Sequence, residues 1–275
     1  MQHPVTIVGH LAPDLDCLTA IWILARFGGR EDADLVFVPA GTTLNDQRVD
    51  SDPSIIHVDT GGGQFDHHDT SDQTICAAEL VRRTVAPHDP ILQRLVAQVC
   101  RIDHAAVGGT YQPIFFNITS LIAGYNSLYP HYPHHVAQAM LPNFDAWYEH
   151  ETRQLRLEQA FTRRMEFSTR WGMGIAMEST DGGSSRLAYR QGAILYAYRD
   201  GRGYMGVAAQ SRSTVDLHPV YQELQRVDSA ADWYLHPSHR LLLCGTAKAP
   251  VRNLSRLSLE ELVAVIKGER TPVRR

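Results

Sequence analysis

The chain has 275 residues, 44% of them hydrophobic and 20% charged, with a net charge of −4 at pH 7. That is the composition of an ordinary globular protein, long enough for one large domain or two modest ones. No run reaches the roughly 18 apolar residues of a membrane helix. Residues 1–4 show neither a basic start nor an apolar core of the secretory kind, so a cytoplasmic protein is expected.

The charge is unevenly placed. Residues 1–150 carry 7 Arg, no Lys and 17 Asp and Glu, a balance of −10; residues 151–275 carry a balance of +6. Eleven of the 14 histidines lie in the first part. An acidic, histidine-rich part suits cations, and a basic part suits an anion. The four cysteines, Cys17, Cys76, Cys100 and Cys244, form no C-x-x-C pair. They are expected to be reduced and in or near the core.

In chain order, residues 5–9 are a β-branched run and predict the first strand. A polar loop from His10 to Asp16 follows. Residues 17–27 are strongly apolar and stop at Gly28-Gly29, a helix with a glycine end. Residues 35–38 and 54–58 predict two more strands, and residues 74–85 and 91–102 two helices. This alternation favours a doubly wound α/β domain with a mainly parallel sheet, over residues 1–145. Ligands of such sheets bind beyond the carboxyl ends of the strands. His10 and Asp59 both follow predicted strands, which puts them on that edge.

A long helical pattern rich in Glu, Arg and Leu runs from about 144 to 170, with a break expected near Pro142, and predicts a linker helix over 146–170. Its arginines interleave with glutamates as ion-paired surface. His131, His134 and His135 are expected in a loop before it. Residues 171–275 predict a smaller α+β domain. Its strands are expected at 173–177, 186–189, 193–198, 204–209 and 240–243, with helices at 219–225 and from 259. Ser258 with Glu261 is a capping box for the last helix. Residues 201–206 match G-x-G-x-x-G but lie between two strands, so they predict a hairpin turn and not a nucleotide site.

Three constellations can carry chemistry. His10-x-x-x-Asp14-x-Asp16 can aim three ligands from one loop. Asp59 closes a strand and is followed, across Gly61-Gly62-Gly63, by Asp66-His67-His68. Asp103 follows an apolar helical run. Carboxylates joined with imidazoles suit a divalent first-row ion.

Gly9-His10-Leu11-Ala12-Pro13-Asp14-Leu15-Asp16, Asp59, Asp66-His67-His68 and Asp103 resemble, in their order and in the combination of HxxxDxD with DHH, the four motifs of the DHH phosphoesterase superfamily. That group includes RecJ-type exonucleases, oligoribonucleases and family II inorganic pyrophosphatases. The resemblance covers residues 5–105. It implies a two-metal site holding Mn²⁺ or Mg²⁺, with His10 and Asp14 on one ion, Asp16, His67 and Asp103 on the other, and Asp59 bridging. It also implies catalytic roles for Asp66, which would orient the histidines, and for His68, which would meet the substrate phosphate.

Two departures bear on the substrate. The link from Asp59 to His67 is short, predicts a tight hairpin, and resembles the eukaryotic DHH-related exonuclease branch. The G-G-G-H motif common in the second domain of the RecJ and oligoribonuclease branches is absent. In its place stand His236, His239, Arg240, Lys248, Arg252 and Arg256, a cationic stretch in which a strand ending in Gly-Thr-x-Lys could receive a phosphate. The expected reaction is hydrolysis of a phosphodiester in a short oligonucleotide or nucleotide-like molecule, in a cleft between the two domains. The expected partners include no membrane and no long duplex, and homodimerisation stays open. The competing readings are a pyrophosphatase or small-molecule phosphomonoesterase, and a non-catalytic phosphate-binding module.

Overall fold

A computed structural model of the chain describes residues 5–107, 117–179 and 183–269. Residues 1–4, on which the leader-peptide reading rests, lie outside the described residues. The chain divides into two compact units, Met1–Thr152 and Arg153–Arg275.

The first unit is α/β. Strands β1 (Thr6–His10), β2 (Asp34–Val38) and β3 (Ile55–His57) form an all-parallel sheet in the order β2-β1-β3. Parallel neighbours need a crossover, and α1 (Leu15–Phe27) makes the first one. The chain steps to one side of β1 and returns on the other. This reversal creates a switch point beyond the carboxyl ends of β1 and β3.

Every residue of α1 from Leu15 to Leu24 is buried. The helix starts at Asp14, whose side chain accepts the Cys17 N–H, and ends at Gly28. Gly9 lets it close on β1, because a Cβ there would sit 2.8 Å from Cys17 Sγ. Each leucine or isoleucine buried in this way contributes about 1.5–3 kcal/mol. Helices α2 (Ala77–Val85), α3 (Pro90–Val107), α4 (Ile118–Leu128) and α5 (Pro133–Phe161) follow.

The second unit carries a six-stranded mixed sheet in the order β4-β5-β6-β7-β9-β8. Its strands are β4 (Met165–Thr169), β5 (Gly172–Glu178), β6 (Leu195–Arg199), β7 (Met205–Ala209), β8 (Tyr234–Leu235) and β9 (Leu241–Cys244). Its helices are α6 (Ser184–Arg190), α7 (His218–Val227) and α8 (Leu259–Lys267). Val207, Leu224, Trp233, Leu242 and Leu262 share one apolar core. The Ser258–Glu261 capping box is present, and residues 200–204 turn the chain between antiparallel β6 and β7. No described helix is long and apolar enough to cross a membrane.

Five expectations are corrected. The linker helix at 146–170 is instead α5, which begins at Pro133, continues through Pro142 and ends at Phe161. Residues 165–169, expected to be helical, form the edge strand β4, with alternate side chains half-buried. His134 and His135 therefore belong to the first turns of α5 and not to a loop. Residues 186–189, expected as a strand, lie in α6, because β5 and β6 are parallel and the connection between them must cross over. Cys76 and Cys100 are joined as a disulfide linking the start of α2 to α3, whereas Cys17 and Cys244 are free and buried. The two paired residues are far apart in sequence, so spacing alone gave no sign of the pairing.

Candidate metal centre

Four separate segments bring the expected ligands of the first unit together. His10 ends β1, and its Nδ1 donates to the Leu11 carbonyl at 3.0 Å. That bond leaves Nε2 to face Asp59 Oδ2 at 3.2 Å and Asp14 Oδ1 at 3.9 Å. Asp59 follows β3 and is 3% exposed. Its φ of +57° is left-handed, a region aspartate enters more readily than most residues but still at a cost. Thr60 steadies the turn by donating to the Thr42 carbonyl and accepting the Gly41 N–H.

His67 Nε2 stands among three carboxylates, 3.5 Å from Asp16 Oδ2, 3.5 Å from Asp59 Oδ1 and 3.6 Å from Asp103 Oδ2. Asp59 thus turns one oxygen to each histidine. Asp16 is fully buried, and its two oxygens accept the N–H groups of Ala77 and Ala78 at the start of α2. Asp103 projects from α3.

The loop from Asp59 to His68 is closed, but it is not an antiparallel hairpin. The Asp59 N–H donates to the Phe65 carbonyl, and Val58 and Phe65 bridge in the parallel sense. Gly61 and Gly62 adopt φ of +84° and +70°, which glycine allows without strain. Asp66 ties the loop together. One of its oxygens accepts the Gly62 N–H, and the other accepts the His68 N–H and lies 2.6 Å from His68 Nδ1. The bonds of Asp66 go to His68 and the loop; no described hydrogen bond joins it to His67. The His68 side chain is 67% exposed.

The electrostatics are those of a site short of positive charge. The described ion-pair partners of Asp14, Asp16, Asp59 and Asp103 are His10, His67 and His68. Burial, together with the neighbouring Asp59 charge, raises the carboxyls of Asp14 and Asp16. Asp103 is raised mainly by burial, and Asp59 adds to it. Asp59 goes the other way: burial opposes its charge, but the His10 imidazole bonded to Oδ2 and the His67 imidazole 3.5 Å from Oδ1 hold it well below the usual carboxylate range. Burial would lower His10, yet its bond to Asp59 wins and pushes it up to about 12. The Asp59 carboxylate, 3.5 Å from its Nε2, also lifts His67 to about 9. In the metal-free protein, protons on these imidazoles stand where cations would.

The residues fit a divalent metal. Asp59 Oδ1 is buried with no hydrogen-bond partner, an expensive condition for a carboxylate oxygen unless an ion meets it. Among the described residues, ligand atoms lie within 4.8 Å of one another in three groups: His10, Cys17 and Asp59; Asp59, His67 and His68; His67, Asp103 and His104. Cys17, expected only as a core residue, and His104 each directly follow an expected ligand. His104 Nε2 lies 2.8 Å from the Ile75 carbonyl, and its ring meets His67 edge-on. A cavity of about 220 Å³ adjoins Asp14, Asp16 and Asp103, with Leu15, Ile122 and Ala123 on its apolar side.

The expected substrate residues lie in the second unit. His236 bonds Ser238, and His239 pairs with Asp216 and stacks on His218. The Arg240 Nε donates to the Ser213 carbonyl. Lys248 and Arg252 are exposed. The N–H groups of Thr246 and Ala249 bond across their own turn, so neither is available to a phosphate.

No protein-family model matches the chain, and no curated protein matches it in sequence. Among solved structures, it is similar to an uncharacterized protein from Helicobacter pylori at 12% identity and a TM-score of 0.27, over 97% of this chain and 99% of that one. It is also similar to RecJ from Thermus thermophilus, solved in complex with Mg²⁺, at 12% identity and a TM-score of 0.32, over 98% of this chain and 51% of that one. A third is the DHH domain of a member of a family of ribosomal proteins, at 12% identity and a TM-score of 0.30, over 87% of this chain and 82% of that one.

Proposed function

We propose that the chain is a metal-dependent phosphohydrolase of the DHH phosphoesterase type, cleaving a phosphodiester in a short oligonucleotide or nucleotide-like molecule. The observation that carries the reading is Asp59, whose two oxygens face two different histidines while one of them has no donor. In this reading His10, Asp14 and Asp59 hold one divalent ion, and Asp16, Asp59, His67 and Asp103 hold a second, Mn²⁺ or Mg²⁺. Such ions supply Lewis acidity and an activated water nucleophile. The short loop between Asp59 and His67 supports the eukaryotic exonuclease-like branch.

The protein's own groups do the rest. Hydrolysis joins a water oxygen to phosphorus and releases the ester oxygen, which takes up a proton. The reading gives His68 the task of meeting the phosphate and handing on that proton, since Asp66 occupies its Nδ1 side and leaves Nε2 to act. His236, His239, Arg240, Lys248 and Arg252 are assigned to the substrate's remaining negative charge.

The test is turnover with Mn²⁺ or Mg²⁺ on short RNA and DNA oligomers, linear dinucleotides and pyrophosphate. Cleavage of the oligomers or dinucleotides is expected. Turnover of pyrophosphate alone would replace the diesterase reading with a pyrophosphatase, and tight binding without turnover would make the chain a binding module. Lys248→Ala is expected to raise KM several-fold at unchanged kcat; an unchanged KM removes Lys248 from the substrate site.

A further inference from the structure

We propose that the Cys17 thiol is a fourth ligand at the His10 position, and that it makes this position select a thiophilic divalent ion of the Zn²⁺ or Co²⁺ kind over Mg²⁺. The proposal rests on the reading of the cluster as a metal centre, and it distinguishes the centre's two halves.

The geometry has three parts. Ligand atoms of His10, Cys17 and Asp59 all lie within 4.8 Å of one another. Cys17 is 0% exposed, in the first turn of α1, and its sulfur fills the space that a side chain at Gly9 would need. Asp59 turns Oδ2 to His10, while its other oxygen, Oδ1, is buried without a hydrogen-bond partner on the side that faces His67, so the same carboxylate reaches both halves.

A buried cysteine usually serves as a small apolar residue. Here a histidine and a carboxylate offer ligand atoms within 4.8 Å of the sulfur, and Asp14 stands 3.9 Å from the His10 Nε2. His10, Asp14, Cys17 and Asp59 together offer nitrogen, oxygen, sulfur and oxygen. That number and mixture match tetrahedral Zn²⁺. Mg²⁺ asks for six oxygens in an octahedron and gains little from sulfur. As the ion binds, the Sγ–metal bond forms and the thiol proton leaves to solvent.

The other half has no sulfur. Asp16, Asp59, His67 and Asp103 offer three carboxylates and one imidazole. Such a set suits Mn²⁺. The two halves therefore differ in softness, and the protein is expected to hold one thiophilic and one harder ion.

The experiment titrates the metal-free, full-length protein with Co²⁺ and records its absorption spectrum. One bound equivalent should show a sulfur-to-cobalt charge-transfer band in the near ultraviolet. Cys17→Ser should remove that band while keeping the visible d–d bands, and Cys244→Ser should retain both. The same Cys17→Ser change should weaken Zn²⁺ binding by about 10–100-fold, the scale on which losing a supporting partner costs a metal site, with Mn²⁺ affinity within about twofold. A wild-type protein that binds Co²⁺ with no such band, or a band that survives Cys17→Ser, overturns the cysteine ligand and leaves the metal centre standing. Failure of Co²⁺, Zn²⁺ and Mn²⁺ to bind at all overturns both. Should Cys17→Ser not fold, X-ray absorption of Zn²⁺-loaded wild type decides. A sulfur scatterer at about 2.3 Å supports the proposal, and a shell of nitrogen and oxygen alone refutes it.

Discussion

Asp59 and Asp228 are buried almost equally, at 3% and 2% exposure, one in each unit of the chain. Asp228 is satisfied by neutral donors: its Oδ2 accepts the Trp233 indole N–H and the Ser255 hydroxyl, which pins the 228–233 turn to the start of the last segment. Asp59 has one oxygen without a donor, a left-handed backbone, and three further acids crowded around it. Burial alone does not separate a working carboxylate from a structural one. What separates them is whether the protein completes the carboxylate's partners or leaves them for something else to complete.

The sharpest way to break that contrast is to remove each charge. Asp59→Asn is expected to lower metal-dependent turnover by more than the roughly 100-fold that an outer supporting partner is worth. It should also erase the rise in Tm that Mn²⁺ gives the wild type. Wild-type turnover by this variant would refute the site as drawn. Asp228→Ala should do the reverse. It strands two buried donors, at about 1–3 kcal/mol each, so urea unfolding should show a lower midpoint while kcat is unchanged. A loss of activity without a loss of stability would make Asp228 more than structural.

pH sharpens the contrast less violently. In metal-free protein, His67 is raised to about 9 by the neighbouring Asp59 carboxylate. A raised folded-state pKa adds stability below the unfolded value of about 6.5 and loses it as pH climbs through about 9. Tm with a chelator present should therefore fall between these pH values, and Asp59→Asn should flatten that fall. Mn²⁺ should reverse the trend, because a ligating imidazole must shed its proton. Equal slopes with and without the metal would count against His67 as a ligand. The smallest effect belongs to the second unit. Ser258→Ala removes the cap of α8 and should cost about 1 kcal/mol by chemical denaturation, with no change in metal affinity.

Much of the first unit can be read from local pattern. The β-branched run of residues 5–9 and the apolar stretch ending at Gly28-Gly29 are strand and helix for reasons contained within themselves. The candidate centre is legible because the residues proposed as its ligands come from short motifs at strand and helix ends. What sequence could not supply was anything decided at a distance. Residues 186–189 alternate like a strand, but the parallel pairing of β5 with β6 requires a helix between them. The Arg and Glu run persists past Phe161, although the helix ends there and β4 is drawn into the sheet by β5. Cys17 was read as a core residue, which it is; its place beside His10 and Asp59 depends on how closely α1 lies on β1.

The bond between Asp16 and the start of α2 bears on how the protein folds. Cys76, the residue before that helix, provides no side-chain cap, and the N–H groups of Ala77 and Ala78 are taken instead by an acid 61 and 62 positions earlier. Cut out as a peptide, α2 would fray at its first turn. Within the protein, its first turn becomes secure only once α1 has docked, and the same docking step fixes Asp16 beside His67. Helix completion and assembly of the centre are thus one cooperative event. Hydrogen exchange at Ala77 and Ala78 should slow when a metal binds, so two backbone amides report on the occupancy of a site to which they contribute no ligand.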